Sequence, residues 1–250
     1  MYINDDGIRL NATLEMPEGN HAKCPLVIMM HGFTGHCEER HMLASAAMFR
    51  ELGLATLRVD MYGHGHSDGQ FKDHTLYKWV NNALAVIDYA LKLDFVTDLY
   101  LYGHSQGGIT AILAAGLKHD KIKALMPLSP ALMIPEGARK GNLLGMVFDP
   151  DNLPDEVPIE SKGMTLGGNY IRVAQTIHPE DAIDRYTGPV LLVHGSEDAS
   201  VPVQYSIDAA KRYKNAELVI IPGDDHCYNF HLDQVVEAIR NWMLKQLNQK

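Results

Sequence analysis

The hydrophobic positions of the chain form short, nearly continuous apolar runs, separated by longer stretches typical of helices. We predict strands at the apolar runs 8–16, 25–30, 54–59, 99–102, 122–128, 189–193 and 218–221. We predict helices at 40–52, 76–93, 106–118, 203–213 and 232–247. Strand and helix therefore alternate. Because parallel strands need long crossover connections, this order predicts a mostly parallel sheet with helices on both faces.

One connection is much longer than the others. Roughly sixty residues separate the strand that ends at 128 from the strand that starts at 189, far more than a loop and one helix require. The segment contains several prolines, a Gly167-Gly168 pair and many large apolar residues, which favours a compact insertion over a linker. We therefore predict a single domain over 1–250 with a cap insertion at about 130–182.

The composition is that of a globular protein, with 46% apolar residues among 250. The 22 basic and 31 acidic side chains give a formal net charge of −9. This acidic excess, together with the lack of any Lys/Arg run, argues against nucleic acid or a membrane surface as a partner. A small molecule is left as the expected partner, and the sequence leaves open whether the chain is a monomer or a homodimer.

The cysteines indicate the redox environment. Cys24, Cys37 and Cys227 are an odd number without C-x-x-C spacing, which fits neither a disulfide framework nor a zinc knuckle. We interpret Cys37 and Cys227 as small buried thiols. The N-terminal residues do not resemble a secretion signal, and no apolar run approaches the ~20 residues of a membrane span. We therefore predict a cytoplasmic location.

The sharpest motif is Gly103-His104-Ser105-Gln106-Gly107, a G-x-S-x-G sequence between a predicted strand and a helix of small residues. Strand, tight turn and helix stand in the order that a nucleophile elbow requires. Glycine is expected at 103 and 107 because a side chain there would collide with neighbouring backbone. The turn exposes the Ser105 hydroxyl at a helix N-terminus, where the helix dipole favours negative charge. We assign Ser105 as a nucleophile.

A serine hydroxyl needs a base, and the base needs a third group that orients it. After such an elbow the acid and then the histidine follow in chain order, each beyond a later strand. Asp198 follows the strand at 189–193, and His226 follows the strand at 218–221. We assign His226 as the base and Asp198 as the acid that holds its other ring nitrogen. The adjacent Glu197 is the alternative acid.

The loop His31-Gly32-Phe33-Thr34-Gly35 directly follows the strand at 25–30, where a second oxyanion donor is expected. We assign the backbone N–H groups of Phe33 and Gln106 as the two donors. Loss of one such donor typically costs about 2.7 to 4 kcal/mol of transition-state stabilisation.

Other histidines suggest a metal at first sight, notably the pair His64 and His66 and the pair His36 and His41. Both pairs lie in or beside loop sequence, without carboxylates or thiolates at ligand spacing. We therefore predict no metal and no cofactor, and interpret 60–69 as a structural turn beside the site.

The sequence resembles the α/β-hydrolases over residues 8–245 or so. Among them it resembles the bacterial cinnamoyl and feruloyl esterases. The shared segments are the loop 31–35, the elbow 103–108 and the cap sequence Thr165-Leu166-Gly167-Gly168-Asn169-Tyr170. The resemblance implies an α/β-hydrolase fold with a small inserted cap that receives the phenolic end of an ester. It implies Tyr170 as a phenol contact, with cap packing as the alternative. Leu144 stands near where some relatives carry a polar residue.

The resemblance further implies a serine carboxylic ester hydrolase that acts on aromatic esters. Feruloyl, p-coumaroyl and caffeoyl esters would be cleaved through an acyl intermediate on Ser105. Because the core motifs do not encode the acyl group, a broad short-chain carboxylesterase or a monoacylglycerol-lipase-like hydrolase is the alternative enzyme. A non-catalytic module that binds a small ligand on a hydrolase fold is the alternative of another class.

Overall fold

The structure, a computed structural model, describes residues 1–19 and 22–248. Its strands are β1 (Tyr2–Asp5), β2 (Ile8–Glu15), β3 (Cys24–Met30), β4 (Ala55–Val59), β5 (Val96–His104), β6 (Ile122–Leu128), β7 (Asn142–Leu143), β8 (Met146–Val147), β9 (Glu156–Ile159), β10 (Met164–Gly167), β11 (Val190–Gly195) and β12 (Ala216–Ile221). Its helices are α1 (Arg40–Glu51), α2 (Leu76–Ala90), α3 (Gln106–Leu117), α4 (Ile134–Lys140), α5 (Gly168–Gln175), α6 (Pro179–Arg185), α7 (Gln204–Arg212) and α8 (Leu232–Asn248). Every strand and helix predicted from the sequence is present, with ends that differ by a few residues.

Eight strands form one sheet in the order β1-β2-β4-β3-β5-β6-β11-β12. The six strands from β4 to β12 pair in parallel, whereas β1 and β2 form an antiparallel edge. The predicted mostly parallel sheet is thus confirmed. The hydrophobic pattern missed β1, which is short and joins β2 through a two-residue turn. Asp6 and Gly7 both have positive φ there, as the tight turns of β-hairpins require.

Both faces of the sheet are covered, which explains why its central strands are almost wholly apolar. Successive residues of β3 point to opposite faces: Leu26 and Ile28 belong to one hydrophobic cluster, and Val27 and Met29 to the other. Helices α2 and α3 pack in the first cluster, and α1 and α8 pack in the second. Thr75 is the N-cap of α2, and its side-chain oxygen accepts the N–H of Lys78.

Between β6 and β11 the chain forms the helices α4, α5 and α6 and two small antiparallel sheets, β7–β8 and β9–β10. The β7–β8 hairpin turns at Leu144 and Gly145, with φ of 52° and 82°. Positive φ is strained for leucine, and such strain persists only where the surroundings impose it.

All three cysteines are free thiols. Cys37 is buried as predicted, but Cys227 is exposed, so the interpretation of Cys227 as a buried thiol is wrong. Within the described part of the chain, none of the helices combines the length and the apolar character that a membrane crossing needs.

Candidate active site

Ser105 lies at the sharp turn between β5 and α3, with φ of 55° and ψ of −117°. This conformation is strained for a residue with a side chain. A Cβ at Gly103 would lie 2.1 Å from the carbonyl oxygen of Gly107, and a Cβ at Gly107 would lie 2.4 Å from that of His31. The close approach of backbone therefore requires both glycines of the motif.

The side chains of Ser105, His226 and Asp198 form one chain of hydrogen bonds. His226 Nε2 lies 2.9 Å from Ser105 Oγ, and His226 Nδ1 lies 2.7 Å from Asp198 Oδ2. The carboxylate accepts the Nδ1–H, which leaves the lone pair of Nε2 directed at the serine hydroxyl. The three side chains assigned from the sequence thus lie in the order that proton transfer from the serine requires.

Asp198 has a second imidazole partner that the sequence analysis missed. His194 Nε2 lies 3.1 Å from Asp198 Oδ2, and Oδ1 accepts the backbone N–H groups of Ser200 and Val201. Burial alone would raise the pKa of Asp198, but the hydrogen bonds from His194 and His226 outweigh it and hold the pKa well below its usual range. The carboxylate is therefore ionised. The available signal was the position of His194 near the end of β11, four residues before Asp198.

The neighbouring carboxylates are held elsewhere. Glu197 is exposed, and its Oε1 accepts the Ser196 hydroxyl at 3.3 Å. The Asp225 carboxylate accepts the backbone N–H groups of Cys227 and Asn229. Among the described residues, the carboxylate hydrogen-bonded to the His226 ring is that of Asp198.

The two residues assigned as oxyanion donors line the same cavity as Ser105. Gln106 is the first residue of α3, where a backbone N–H has no partner within the helix. The loop before α1 passes against the nucleophile, since a Cβ at Gly32 would lie 3.3 Å from Ser105 Cβ. A ring nitrogen of His64 lies 2.5 Å from the Phe33 carbonyl oxygen. This contact restrains the peptide unit that follows Phe33, next to the unit that carries the Phe33 N–H.

Tyr170 does not face the cavity. Its side chain is fully buried, its hydroxyl donates to Gln106 Oε1 at 2.6 Å, and its ring packs edge-on against Phe33. This buried position favours the alternative role of cap packing, and a contact with a phenol stays a prediction. Tyr170 contacts the side chains of both residues that we assigned as oxyanion donors.

A cavity of about 750 Å³ opens beside Ser105, within the range of small-molecule sites. Its large apolar side chains come mainly from the segment between β6 and β11: Met133, Ile134, Leu144 and Ile159. The same segment contributes polar side chains: Asn142, Ser161 and Lys162. The cavity that contains the nucleophile is therefore lined by both apolar and polar side chains.

Buried histidines beside the oxyanion loop predict a loss of stability in acid. Burial lowers the pKa of His31 and of His74 to about 3. Below about pH 6.5 both histidines bind a proton in the unfolded chain but stay neutral in the folded protein. The folded state is therefore fully favoured above that pH, and this contribution to stability is lost as the pH falls towards 3. We expect the free energy of unfolding to fall between pH 7 and pH 5, by up to about 1.4 kcal/mol per pH unit for each ring.

Urea unfolding at both pH values measures this effect. His74→Gln should make the pH dependence shallower, whereas the same change at the exposed His119 should leave it unaltered. Equal unfolding free energies of the unaltered protein at the two pH values would contradict the prediction.

Comparison with known proteins identifies the family of this chain. The family model described as serine aminopeptidase S33 matches residues 21–149, and a model described as TAP-like protein matches residues 169–246. The chain belongs to the serine aminopeptidase S33 family of α/β-hydrolases. The α/β-hydrolase fold predicted from the elbow and the alternation of strands and helices is therefore confirmed.

Solved and curated relatives of this α/β-hydrolase span a range of similarity. The structure of ferulic acid bound to Est1E from Butyrivibrio proteoclasticus is 60% identical, covers 100% of both chains and superposes with a TM-score of 0.98. The mitochondrial palmitoyl-protein thioesterase ABHD10 of Mus musculus is 28% identical over 80% of this chain and 67% of its own length. Protein ABHD12B of Homo sapiens is 24% identical over 89% of this chain, which spans 61% of that relative.

Proposed function

We propose that this protein is a serine carboxylic ester hydrolase that cleaves hydroxycinnamoyl esters, such as feruloyl, p-coumaroyl and caffeoyl esters. The observation that carries the proposal is the hydrogen-bond chain from Asp198 through His226 to Ser105, at the wall of a cavity large enough for an aromatic acyl group. The full-length similarity to Est1E, which has been solved with ferulic acid bound, supports the choice of acyl group.

In the first half of the reaction, Ser105 Oγ attacks the ester carbonyl carbon while His226 Nε2 takes the hydroxyl proton. Asp198 stabilises the imidazolium that forms. The backbone N–H groups of Phe33 and Gln106 donate to the oxyanion of the tetrahedral intermediate. When the intermediate collapses, His226 returns the proton to the leaving alcohol, and the acyl group remains on Ser105.

In the second half, water attacks the acyl carbonyl carbon and gives its proton to His226. The same two N–H groups stabilise the second oxyanion. Collapse of this intermediate breaks the bond to Ser105 Oγ, which recovers its proton from His226. The products are the free hydroxycinnamic acid and the regenerated serine, so the cycle needs water and no cofactor.

The cavity wall suggests how the acyl group is held. We place the aromatic ring between apolar side chains of the segment at about 130–182, which acts as a cap, because an aromatic group gains free energy when its faces are buried. Leu144 and Ile159 supply that surface, and Asn142 and Ser161 supply polar atoms for a phenolic hydroxyl. Tyr170 contacts the side chains of Gln106 and Phe33 and so helps to fix the two residues that carry the oxyanion N–H groups.

A substrate panel tests the acyl preference. We expect kcat/KM to be highest for methyl ferulate, methyl p-coumarate and methyl caffeate, because among the esters of the panel only these have an acyl group with an aromatic ring and a phenolic hydroxyl for the cavity to hold. Initial rates measured beside p-nitrophenyl butyrate and a monoacylglycerol give the comparison. Much faster hydrolysis of either aliphatic ester would favour the broad carboxylesterase or lipase-like alternative. A cytoplasmic location stays a prediction, and the choice between a monomer and a homodimer stays open.

A further inference from the structure

Three buried polar atoms without hydrogen-bond partners converge behind the nucleophile. They are Glu39 Oε2, His41 Nε2 and His104 Nδ1. One ligand atom from each of the three side chains lies within 4.8 Å of the other two. The two histidines are nearly enclosed, at 4% and 3% exposed. Buried polar atoms are ordinarily paired, because an unpaired one keeps the full cost of leaving water. Three such atoms on neighbouring side chains therefore indicate a ligand.

The chemistry of the three atoms indicates which ligand. His104 donates its Nε2–H to the carbonyl oxygen of His226 at 2.8 Å, so its Nδ1 carries a lone pair. His41 Nε2 lies 3.7 Å from Glu39 Oε2. Two imidazole nitrogens and one carboxylate oxygen form the donor set that divalent transition metals prefer, and Zn²⁺ takes three such ligands with a water in the fourth position.

The distances between the three ligand atoms are close to those around a tetrahedral Zn²⁺ ion. Ligand atoms at 2.0 to 2.2 Å from a tetrahedral Zn²⁺ stand about 3.4 Å apart. The pair formed by Glu39 and His41 is already near that value, and the third atom requires a movement on the order of 1 Å. We propose that Glu39, His41 and His104 form a binding site for a divalent transition-metal ion of the Zn²⁺ type. The sequence analysis predicted no metal because it found no carboxylates or thiolates at ligand spacing beside His41. It did not consider Glu39, and the chain alone does not reveal that His104 lies beside His41.

The site has a direct connection to the base. His104 is hydrogen-bonded to the backbone of His226, and the two rings lie 4.8 Å apart between centroids. A cation held there disfavours the positive charge that His226 gains during the reaction. Occupancy should therefore lower kcat. This consequence rests on the proposed function, whereas the binding itself does not.

Titration of the full-length, reduced protein with ZnCl₂, in competition with a chromophoric chelator, measures the binding. We expect one equivalent of Zn²⁺ to bind and to raise the melting temperature. Glu39→Gln, which keeps the side-chain shape, and His41→Ala should each weaken binding by at least about tenfold. Two nearby ligand candidates serve as matched controls: His36→Ala and Cys227→Ser should leave the affinity unchanged, since both residues are exposed and neither belongs to the cluster.

Absence of stoichiometric Zn²⁺ binding overturns the proposal. So does binding that survives Glu39→Gln and His41→Ala but is lost in Cys227→Ser or His36→Ala. Melting curves of the two cluster variants without metal identify any variant that does not fold, and the other then decides. Stoichiometric binding that leaves kcat unchanged overturns the inhibitory role alone. If no ester is hydrolysed at all, the proposed function fails while the titration still decides the site.

Discussion

Replacement of Ser105 by alanine should reduce the turnover of methyl ferulate by about 10⁶-fold. The hydroxyl oxygen is the atom that forms the acyl intermediate, and no neighbouring group replaces it: His226 then has no proton to accept and only bound water to activate. The expected residual rate comes from the oxyanion N–H groups and from substrate binding, which the variant retains. Burst kinetics and steady-state rates on the purified variant measure the effect.

The control is that Ser105→Ala should still fold and bind. Both residues carry a Cβ, so the strained backbone at φ 55° is the same in either case. The melting temperature should therefore change little, and ferulate should still bind in a titration. Ester hydrolysis by the variant at an undiminished rate would exclude Ser105 as the nucleophile and favour a water-based mechanism.

Asp198→Asn should lower kcat by about 10⁴-fold. The carboxylate accepts the Nδ1–H of His226, whereas an amide that donates to Nδ1 stabilises the tautomer in which Nε2 carries the proton and cannot accept another. The loss should appear in kcat more than in KM, because the interaction strengthens when the imidazolium forms. Steady-state kinetics with methyl ferulate separate the two parameters.

Glu197→Gln is the matched control for Asp198→Asn. Glu197 is the adjacent residue, carries the same charge and was the alternative acid in the sequence analysis, but its side chain is exposed and bonded to Ser196. Its replacement should leave kcat unchanged. The reverse result, with a severe loss for Glu197→Gln and none for Asp198→Asn, would transfer the acid role to Glu197.

Much of the fold follows from local patterns. The apolar run at 25–30 becomes β3 because its alternate side chains enter the two clusters on opposite faces of the sheet. The glycines of the elbow follow from backbone collisions that any side chain would suffer at those positions. The edge of the sheet was the exception: β1 has few buried residues, so the hydrophobic pattern did not predict it.

The roles of individual side chains were harder to predict. A motif placed Tyr170 in the cap, but only packing against Phe33 and Gln106 decided that its hydroxyl faces inward. His194 directly follows the strand predicted at 189–193 and was given no role, yet it shares a carboxylate oxygen with His226. Cys227 follows the base directly and is nevertheless exposed.

The sequence by itself determined the alternation of strands and helices, the strained turn at Ser105 and the chain order of nucleophile, acid and base. These features depend on residues close together in the chain, where burial periodicity and backbone sterics act locally. Only the tertiary structure decided which carboxylate meets His226 and which buried atoms converge at His104. Such contacts join residues as far apart as 105 and 226, 121 positions along the chain, and they exist only once the sheet has brought its loops to one edge.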